Sequence, residues 1–139
     1  ICRYLDGNCV AALDGLDCAR RLTELRLADQ RLPVGAALEL DTKSLRCIGD
    51  TLTALDVSGN NLRSLTPLAA LSGLQRLGAA RNDVDDLQEA MLEALEWLQE
   101  LDLQHNPVCS THKYYERAIA RSNDRLETLD GKHVEPRHR

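Results

Sequence analysis

The sequence predicts a short α/β solenoid, a right-handed arc with parallel strands on its concave face and helices or 3₁₀ turns on its convex face. Leucine supplies 26 of the 139 residues, whereas the chain has no Phe, one Trp and three Tyr. A globular core usually draws its large side chains from several residue types, so a core built almost wholly of one type indicates one structural unit used repeatedly. The length suits a single domain that buries a core.

A spaced leucine pattern, L-x-x-L-x-L-x-x-N-x-L, recurs in register along the chain. Its four near-complete copies begin at Leu22, Leu52, Leu74 and Leu98. The second half of a further copy occupies residues 5–10, and the first half of another begins at Leu126. In L-x-L the strand alternation sends both leucines inward and the residue between them outward. This is the pattern of leucine-rich repeats, which stack into a solenoid.

The ninth position of each copy carries an amide side chain to which we assign a structural role. A side-chain amide can satisfy backbone groups of a turn that would otherwise be buried without partners. Gln30 replaces Asn once, and its longer side chain predicts the least regular repeat. The asparagines at this position are Asn8, Asn60, Asn82 and Asn106.

The segments between the strands predict the convex side. Residues 66–71 favour a 3₁₀ turn or a short helix with Pro67 in its first turn. Residues 85–95 predict a longer helix, because they begin with acidic residues and continue with apolar residues at helical spacing. An insertion at residues 33–51 lengthens one repeat step, and we expect it to become helical at residues 41–48 with Leu45 and Ile48 on one face.

The repeats of residues 1–108 are expected to end in a cap and tail formed by residues 109–139. A helix at residues 112–121 and a last strand would cover the end of the leucine stack, as a repeat array requires. Because the chain begins at Ile1 without a comparable cap, we expect further repeats to precede it. The residues assigned structural roles in this terminal region are Pro107, Tyr114, Leu129 and Gly131.

Composition and charge exclude several classes of function. The formal net charge of −5 argues against a nucleic-acid-binding surface, and no apolar run is long enough to span a membrane. The five cysteines include no C-x-x-C pair, so we interpret them as reduced, mostly buried thiols of a cytosolic protein.

Candidate catalytic and metal sites are weak. His105, Cys109 and His112 have a spacing that could bind zinc, but no fourth ligand lies nearby in sequence. Asp102 and Asp130 lie on neighbouring repeats without a nucleophile or base in reach. We therefore predict no enzymatic activity, no metal and no cofactor.

The outward strand positions predict a partner-binding concave face. Small residues on the middle strands would let a partner helix or segment approach the sheet, and the charged residues around them would set its register. A solvated sheet face without a partner is the alternative. The candidate partner-binding residues are Tyr4, Glu24, Arg26, Ala54, Asp56, Ser58, Arg76, Gly78, Ala80, Glu100, Asp102 and Gln104.

The short repeats and the motifs at residues 106–109 (Asn-Pro-Val-Cys), Tyr114 and residues 129–131 (Leu-Asp-Gly) resemble the SDS22-like leucine-rich repeat family with its C-terminal cap. Residues 30–35 and the insertion after them resemble regulatory subunits of protein phosphatase 1. The resemblance implies a non-catalytic subunit that binds the phosphatase catalytic subunit. It also implies a place in the cytoplasm and cytoskeleton, near microtubules, in the axoneme of a cilium or flagellum or at the centrosome or basal body.

The alternative is a structural axonemal adaptor that binds coiled-coil or microtubule-associated partners and has no phosphatase role. The chain contains no Phe and therefore no [RK]-V-x-F docking segment. Contact with the phosphatase would accordingly use the concave face.

Overall fold

Short strands from successive repeats pair side by side into one sheet. The structure, a computed structural model, describes residues 2–8, 12–13, 21–32, 34–87, 92–123 and 125–134. The main sheet has seven strands in the order β1-β3-β5-β6-β7-β8-β9, and a separate two-stranded sheet joins β2 to β4. The strands are β1 Cys2–Tyr4, β2 Ala12–Leu13, β3 Glu24–Arg26, β4 Glu39–Leu40, β5 Ala54–Asp56, β6 Arg76–Gly78, β7 Glu100–Asp102, β8 Thr128–Leu129 and β9 Lys132–His133.

Every pair in the main sheet is parallel except the last, where β9 turns back against β8. Parallel neighbours require a crossover between strands, and the crossovers run over the opposite side of the sheet. Repetition of this unit gives the predicted α/β solenoid, and the prediction of fold class is confirmed.

The register places one leucine of each repeat in a continuous buried row. Leu25, Leu55, Leu77, Leu101 and Leu129 are direct neighbours across the sheet, and each is at most 3% exposed. In β1 the same position is Arg3, which lies opposite Leu25. The inward leucine of each strand therefore packs on the leucines of the adjacent repeats, which explains why one residue type dominates the composition.

Side-chain amides join each repeat to the one before it. Asn82 Oδ1 accepts the N–H groups of Asn60 (2.9 Å) and Leu62 (3.1 Å) in the preceding repeat. Its Nδ2 donates to Ala79 in its own turn at 3.0 Å and to Val57 in the preceding repeat at 3.2 Å. The amide thus satisfies the turn and holds two repeats together.

The same arrangement occurs at the neighbouring repeats. Asn60 donates to the carbonyls of Leu27 and Val57 and accepts the N–H of Gln30. Asn106 donates to Ala79 and Leu103 and accepts the N–H of Val84. Gln30 donates to the carbonyl of Leu5 at 2.7 Å, so its longer side chain still reaches the preceding repeat. Asn8 is exposed and donates to Leu5 within its own turn.

The insertion carries the helix that the sequence predicts there. Helix α1 (Thr42–Ile48) begins after Asp41, whose carboxylate accepts the N–H and the hydroxyl of Ser44. Leu45 and Ile48 are fully buried. Strand β4 of the insertion pairs with β2, and this second sheet was not expected from the sequence.

Elsewhere in the described part of the convex side the chain forms 3₁₀ turns. The predicted turn occupies Thr66–Ala70 with Pro67 at its start, and two others are Leu92–Ala94 and Pro107–Ser110. Helix α2 (Tyr114–Arg121) confirms the predicted cap helix, with Tyr114, Ala118 and Ile119 buried. None of the helices in the described ranges is long and apolar enough to cross a membrane.

The prediction of a helix at residues 85–95 is wrong for the described residues of this range. Residues 85 and 86 have no regular structure, Leu92–Ala94 is a 3₁₀ turn, and residues 88–91 lie outside the described residues. The apolar spacing nevertheless identified buried positions, because Leu87, Leu92 and Leu95 are at most 1% exposed. A 3₁₀ turn rises about 2.0 Å per residue against 1.5 Å in an α-helix, so it crosses the convex side with fewer residues. The division at residues 108 and 109 stays a prediction.

Substitution of Leu101 by Ala should destabilise the chain strongly. Leu101 is 2% exposed and lies between Leu77 and Leu129, so truncation leaves a cavity that costs about 2–5 kcal/mol. Chemical denaturation of Leu101→Ala would measure this loss. Val34→Ala is the control, because Val34 is fully exposed. Equal midpoints for the Leu101 variant and the wild type would contradict the register.

Substitution of Asn82 by Ala should also destabilise the chain. It leaves the N–H groups of Asn60 and Leu62 without an acceptor, and each unsatisfied buried group costs about 1–3 kcal/mol. Gln75→Ala removes an exposed amide at the start of the same repeat and serves as the matched control. Thermal unfolding should separate the two variants by several degrees, and coincident curves would refute the inter-repeat role of Asn82.

Candidate protein-binding face

The outward residues of the central strands form two rows across the concave face. One row contains Glu24, Ala54, Arg76, Glu100 and Thr128. The other contains Tyr4, Arg26, Asp56, Gly78 and Asp102. Because strands alternate their side chains, these residues point away from the buried leucines. The register therefore brings together, on one surface, residues as much as 124 positions apart, from Tyr4 to Thr128.

A hollow of about 340 Å³ opens on this face. Its lining comes from β3, β5, β6 and β7, with Thr128 and Gly131 at one end. Ala54 and Gly78 lie on neighbouring strands, and their small size forms the depression at the centre of the hollow. Longer charged side chains surround this depression. Eight of the twelve candidate partner-binding residues line this hollow, and their role in binding stays a prediction. The four that do not line it are Tyr4, Ser58, Ala80 and Gln104.

Three small residues predicted as contact residues have little exposed surface. Ala54, Ser58 and Ala80 are between 6% and 8% exposed, so each offers a partner little side-chain surface. Ser58 accepts the Ala80 N–H through its hydroxyl at 3.1 Å, a contact that helps to hold the turns after β5 and β6 together. Ala54 lines the hollow, whereas Ser58 and Ala80 lie outside its lining.

The charges at the β1–β3 end of the face are already paired. Arg26 forms an ion pair with Asp6 at 2.9 Å and lies 5.7 Å from the centre of the Tyr4 ring. The Tyr4 hydroxyl donates to Glu24 at 3.0 Å, while the Tyr4 side chain remains 60% exposed. Sequence reasoning missed Asp6, whose other carboxylate oxygen accepts the Ala28 N–H.

The middle of the face keeps charges without internal partners. Asp56 and Asp102 each accept one backbone N–H, from Ser58 and Gln104, at 3.0 Å. Across the residues that the structure describes, the side chains of Arg76 and Glu100 make no hydrogen bond or ion pair, although the two residues are neighbours in register. These side chains are available to a partner at no cost of breaking internal pairs.

A second feature missed from the sequence borders the face. Asp29, Gly59, Arg81 and His105 occupy the same repeat position, and all have positive φ. Arg81 and Asp29 form an ion pair at 2.9 Å that passes over Gly59, where any side chain would collide with the Asp29 carboxylate. Aligning the residue before each ninth-position amide would have revealed this column.

A partly buried hydrogen-bond network joins the cap to the last repeats. The Tyr114 hydroxyl donates to Asp130 at 2.8 Å, and the other Asp130 oxygen accepts the Leu103 N–H at 2.7 Å. Burial raises the pKa of Asp130, and the nearby Asp102 charge adds to the rise, whereas Lys132 and the two hydrogen bonds oppose it. Burial likewise raises the pKa of Tyr114, which stays a neutral donor.

The remaining predicted structural residues of the cap lie around this network. Leu129 is fully buried at the end of the leucine row, and Pro107 begins the 3₁₀ turn. Asp130 and Gly131 both have positive φ, which allows the tight return from β8 to β9. The predicted Gln104 contact residue is engaged here too, since its amide donates to the Asp130 carbonyl.

The cap does not assemble the zinc ligands that the spacing of His105, Cys109 and His112 suggested. Within the described residues no three His, Cys, Asp or Glu side chains form a group able to hold a metal. The Cys109 thiol donates to the Leu103 carbonyl at 2.8 Å, and burial raises the pKa of this thiol. Cys47 and Cys109 are only partly buried, whereas mostly buried thiols were expected, and the side chains of Cys2, Cys9 and Cys18 lie outside the described residues.

The Asp130 network makes the stability of the chain depend on pH. Since the folded-state pKa is raised, the folded chain binds the Asp130 proton more tightly than the unfolded chain. The stability that this group contributes is present below the unfolded pKa of about 3.8 and declines as the pH rises through the folded-state pKa. Asp130→Asn keeps the left-handed backbone and removes the titration. Denaturation from pH 3 upward should show wild type losing stability relative to the variant, and parallel curves would contradict the shift.

Comparison with known proteins agrees with the repeat assignment. The Leucine Rich Repeat family profile matches residues 51–74. The chain is 32% identical over 126 residues to leucine-rich repeat-containing protein 36 of Mus musculus, covering 85% of this chain and 17% of that protein. It is 38% identical over 104 residues to podocan-like protein 1 of Homo sapiens, covering 73% of this chain and 19% of that protein. The chain thus spans less than a fifth of the length of either relative.

Solved structures show the same fold. The Mex67 leucine-rich repeat domain from Chaetomium thermophilum has a TM-score of 0.55 and 22% identity, over 69% of this chain and 68% of that chain. A structure of the Chaetomium Mex67:Mtr2 subunits has a TM-score of 0.57 and 19% identity, over 70% of this chain and 74% of that chain. The stacked parallel strands and the leucine row thus give the chain the fold of a leucine-rich repeat solenoid, and the family profile matches one of its repeats.

Proposed function

We propose that the chain is a non-catalytic protein-interaction module that binds its partner on the concave face. The observation that carries this proposal is the hollow over β5, β6 and β7, bordered by Arg76 and Glu100, whose side chains have no partner within the described residues. Leucine-rich repeat solenoids are typically interaction modules, and stacked repeats create extended binding surfaces of this kind.

The partner that we propose is the catalytic subunit of protein phosphatase 1, in the axoneme of a cilium or flagellum or at the basal body. Its support is the resemblance of residues 30–35, the insertion and the cap to protein phosphatase 1 regulatory subunit 42. Helix α1 of the insertion packs against the 3₁₀ turn Thr66–Ala70, away from the hollow. The insertion therefore leaves the concave face open to a partner.

Binding to the purified phosphatase catalytic subunit tests both parts of the proposal. Arg76→Glu should weaken the complex about tenfold, because it replaces a guanidinium that is free to bind a carboxylate of the partner by a group that repels that carboxylate, while the melting temperature stays near that of wild type. Isothermal titration calorimetry gives the dissociation constant, and Arg63→Glu makes the same charge change at an exposed residue outside the hollow.

The outcomes separate the two parts. Binding that is unaffected by Arg76→Glu would place the phosphatase on another surface and contradict the concave-face assignment. Absence of binding by the wild-type chain would reject the phosphatase as partner. Retention of the protein on salt-washed axonemes in that case would favour the structural adaptor instead.

A further inference from the structure

The hollow on the concave face contains more negative than positive charge. Its lining holds four carboxylates and two guanidinium groups, from Glu24, Asp56, Glu100, Asp102, Arg26 and Arg76. Arg26 is already neutralised by Asp6, a residue outside the lining. The surplus therefore favours a partner that brings positive charge to this face.

Two of the carboxylates flank a residue without a side chain. In the register of the sheet, Gly78 lies directly between Asp56 on β5 and Asp102 on β7. The two aspartates are separated by two strand spacings, about 10 Å between their backbones. A Cβ atom on Gly78 would lie 2.9 Å from Asp56 Oδ1, so the Asp56 carboxylate leans over the glycine. The space above Gly78 thus has a carboxylate on each side.

Backbone hydrogen bonds hold both carboxylates in position. One oxygen of Asp56 accepts the Ser58 N–H, and one oxygen of Asp102 accepts the Gln104 N–H. The two aspartates lie on the strands on either side of Gly78 and make the same hydrogen bond to the residue two positions later. Within the described residues, the second oxygen of each makes no hydrogen bond or ion pair. A partner that uses these oxygens would meet acceptors whose side-chain freedom is already reduced, which lowers the entropic cost of binding.

We propose that the concave face binds a basic segment of a partner protein, which places one arginine side chain over Gly78 between Asp56 and Asp102. This inference rests on the proposed function of the face. A guanidinium group fits the gap because it is planar and can donate to a carboxylate at each edge. Gly78 adds no side chain of its own to the gap, whose near side is formed by the Asp56 carboxylate. A metal ion is not the occupant, because the described residues contain no group of three ligands here.

Selection from a random dodecapeptide phage library on the immobilised chain tests this inference, because such a library presents basic, acidic and neutral segments alike. The affinity of selected peptides for the chain is then measured by fluorescence anisotropy. We expect enriched peptides to share an Arg, with Asp56→Asn and Asp102→Asn each weakening binding by about tenfold or more, as for hydrogen bonds to charged groups. Replacing that Arg in the peptide by Ala should have the same effect. Asp83→Asn removes one exposed carboxylate outside the hollow and is the matched control.

A further variant separates the arginine site from the face that contains it. Gly78→Arg would fill the gap with a guanidinium from the chain itself and should block any peptide that lies there. The backbone of Gly78 has no positive φ, so a side chain is tolerated once the Asp56 carboxylate moves aside. Circular dichroism melts show whether each variant is folded, and the two aspartate variants provide independent measurements if one of them is not.

The outcomes separate the arginine site from the concave-face function. The arginine site would be overturned if the enriched peptides shared no Arg and bound both Asn variants as tightly as wild type. If Gly78→Arg still blocked these peptides, the concave-face function would remain supported. Peptides insensitive to Gly78→Arg, or a library from which nothing is enriched, would overturn both.

Discussion

The need to satisfy backbone groups inside the turns is the constraint on which the rest of the structure depends. Each strand is only two or three residues long, so the chain must leave the sheet while its N–H and C=O groups are still buried. Asn60, Asn82 and Asn106 bond to their own turns and to the preceding repeat at once. Turning and stacking are therefore one interaction, and a repeat cannot form its turn fully without its neighbour.

This coupling separates the inner side of the strands from the outer side. The inward residue must fit the leucine row, and Leu55, Leu77 and Leu101 do so. The outward residues carry no such requirement, so they can differ between repeats without loss of the core. The hollow over Gly78 and the surrounding charges exist because the fold leaves these positions free. A solenoid can thus change its partner while its architecture stays the same.

The cap solves a different problem, which is the exposed end of the leucine row. Helix α2 lays Tyr114, Ala118 and Ile119 on the core, and the Tyr114 hydroxyl binds the partly buried Asp130 carboxylate. That carboxylate in turn holds the Leu103 N–H of the last full repeat. The cap is consequently tied to the array by polar bonds as well as by apolar contact. Strand β9 turns back against β8 and ends the run of parallel pairing.

The repeating pattern alone determined the fold class, the buried leucines and the amide positions, because the fixed spacing of leucines within each repeat indicates which side chains face inward. The helix α1 and the cap helix α2 were also predictable from local spacing. The helix predicted at residues 85–95 was wrong over the described residues, since the length of the crossover, rather than local propensity, selects a 3₁₀ turn there.

Only the tertiary structure decided which charges are paired. Arg26 meets Asp6 while Arg76 stays without a partner among the described residues, and Ala54, Ser58 and Ala80 are covered by their neighbours. Such pairings depend on distances between repeats, and a one-dimensional pattern does not contain those distances.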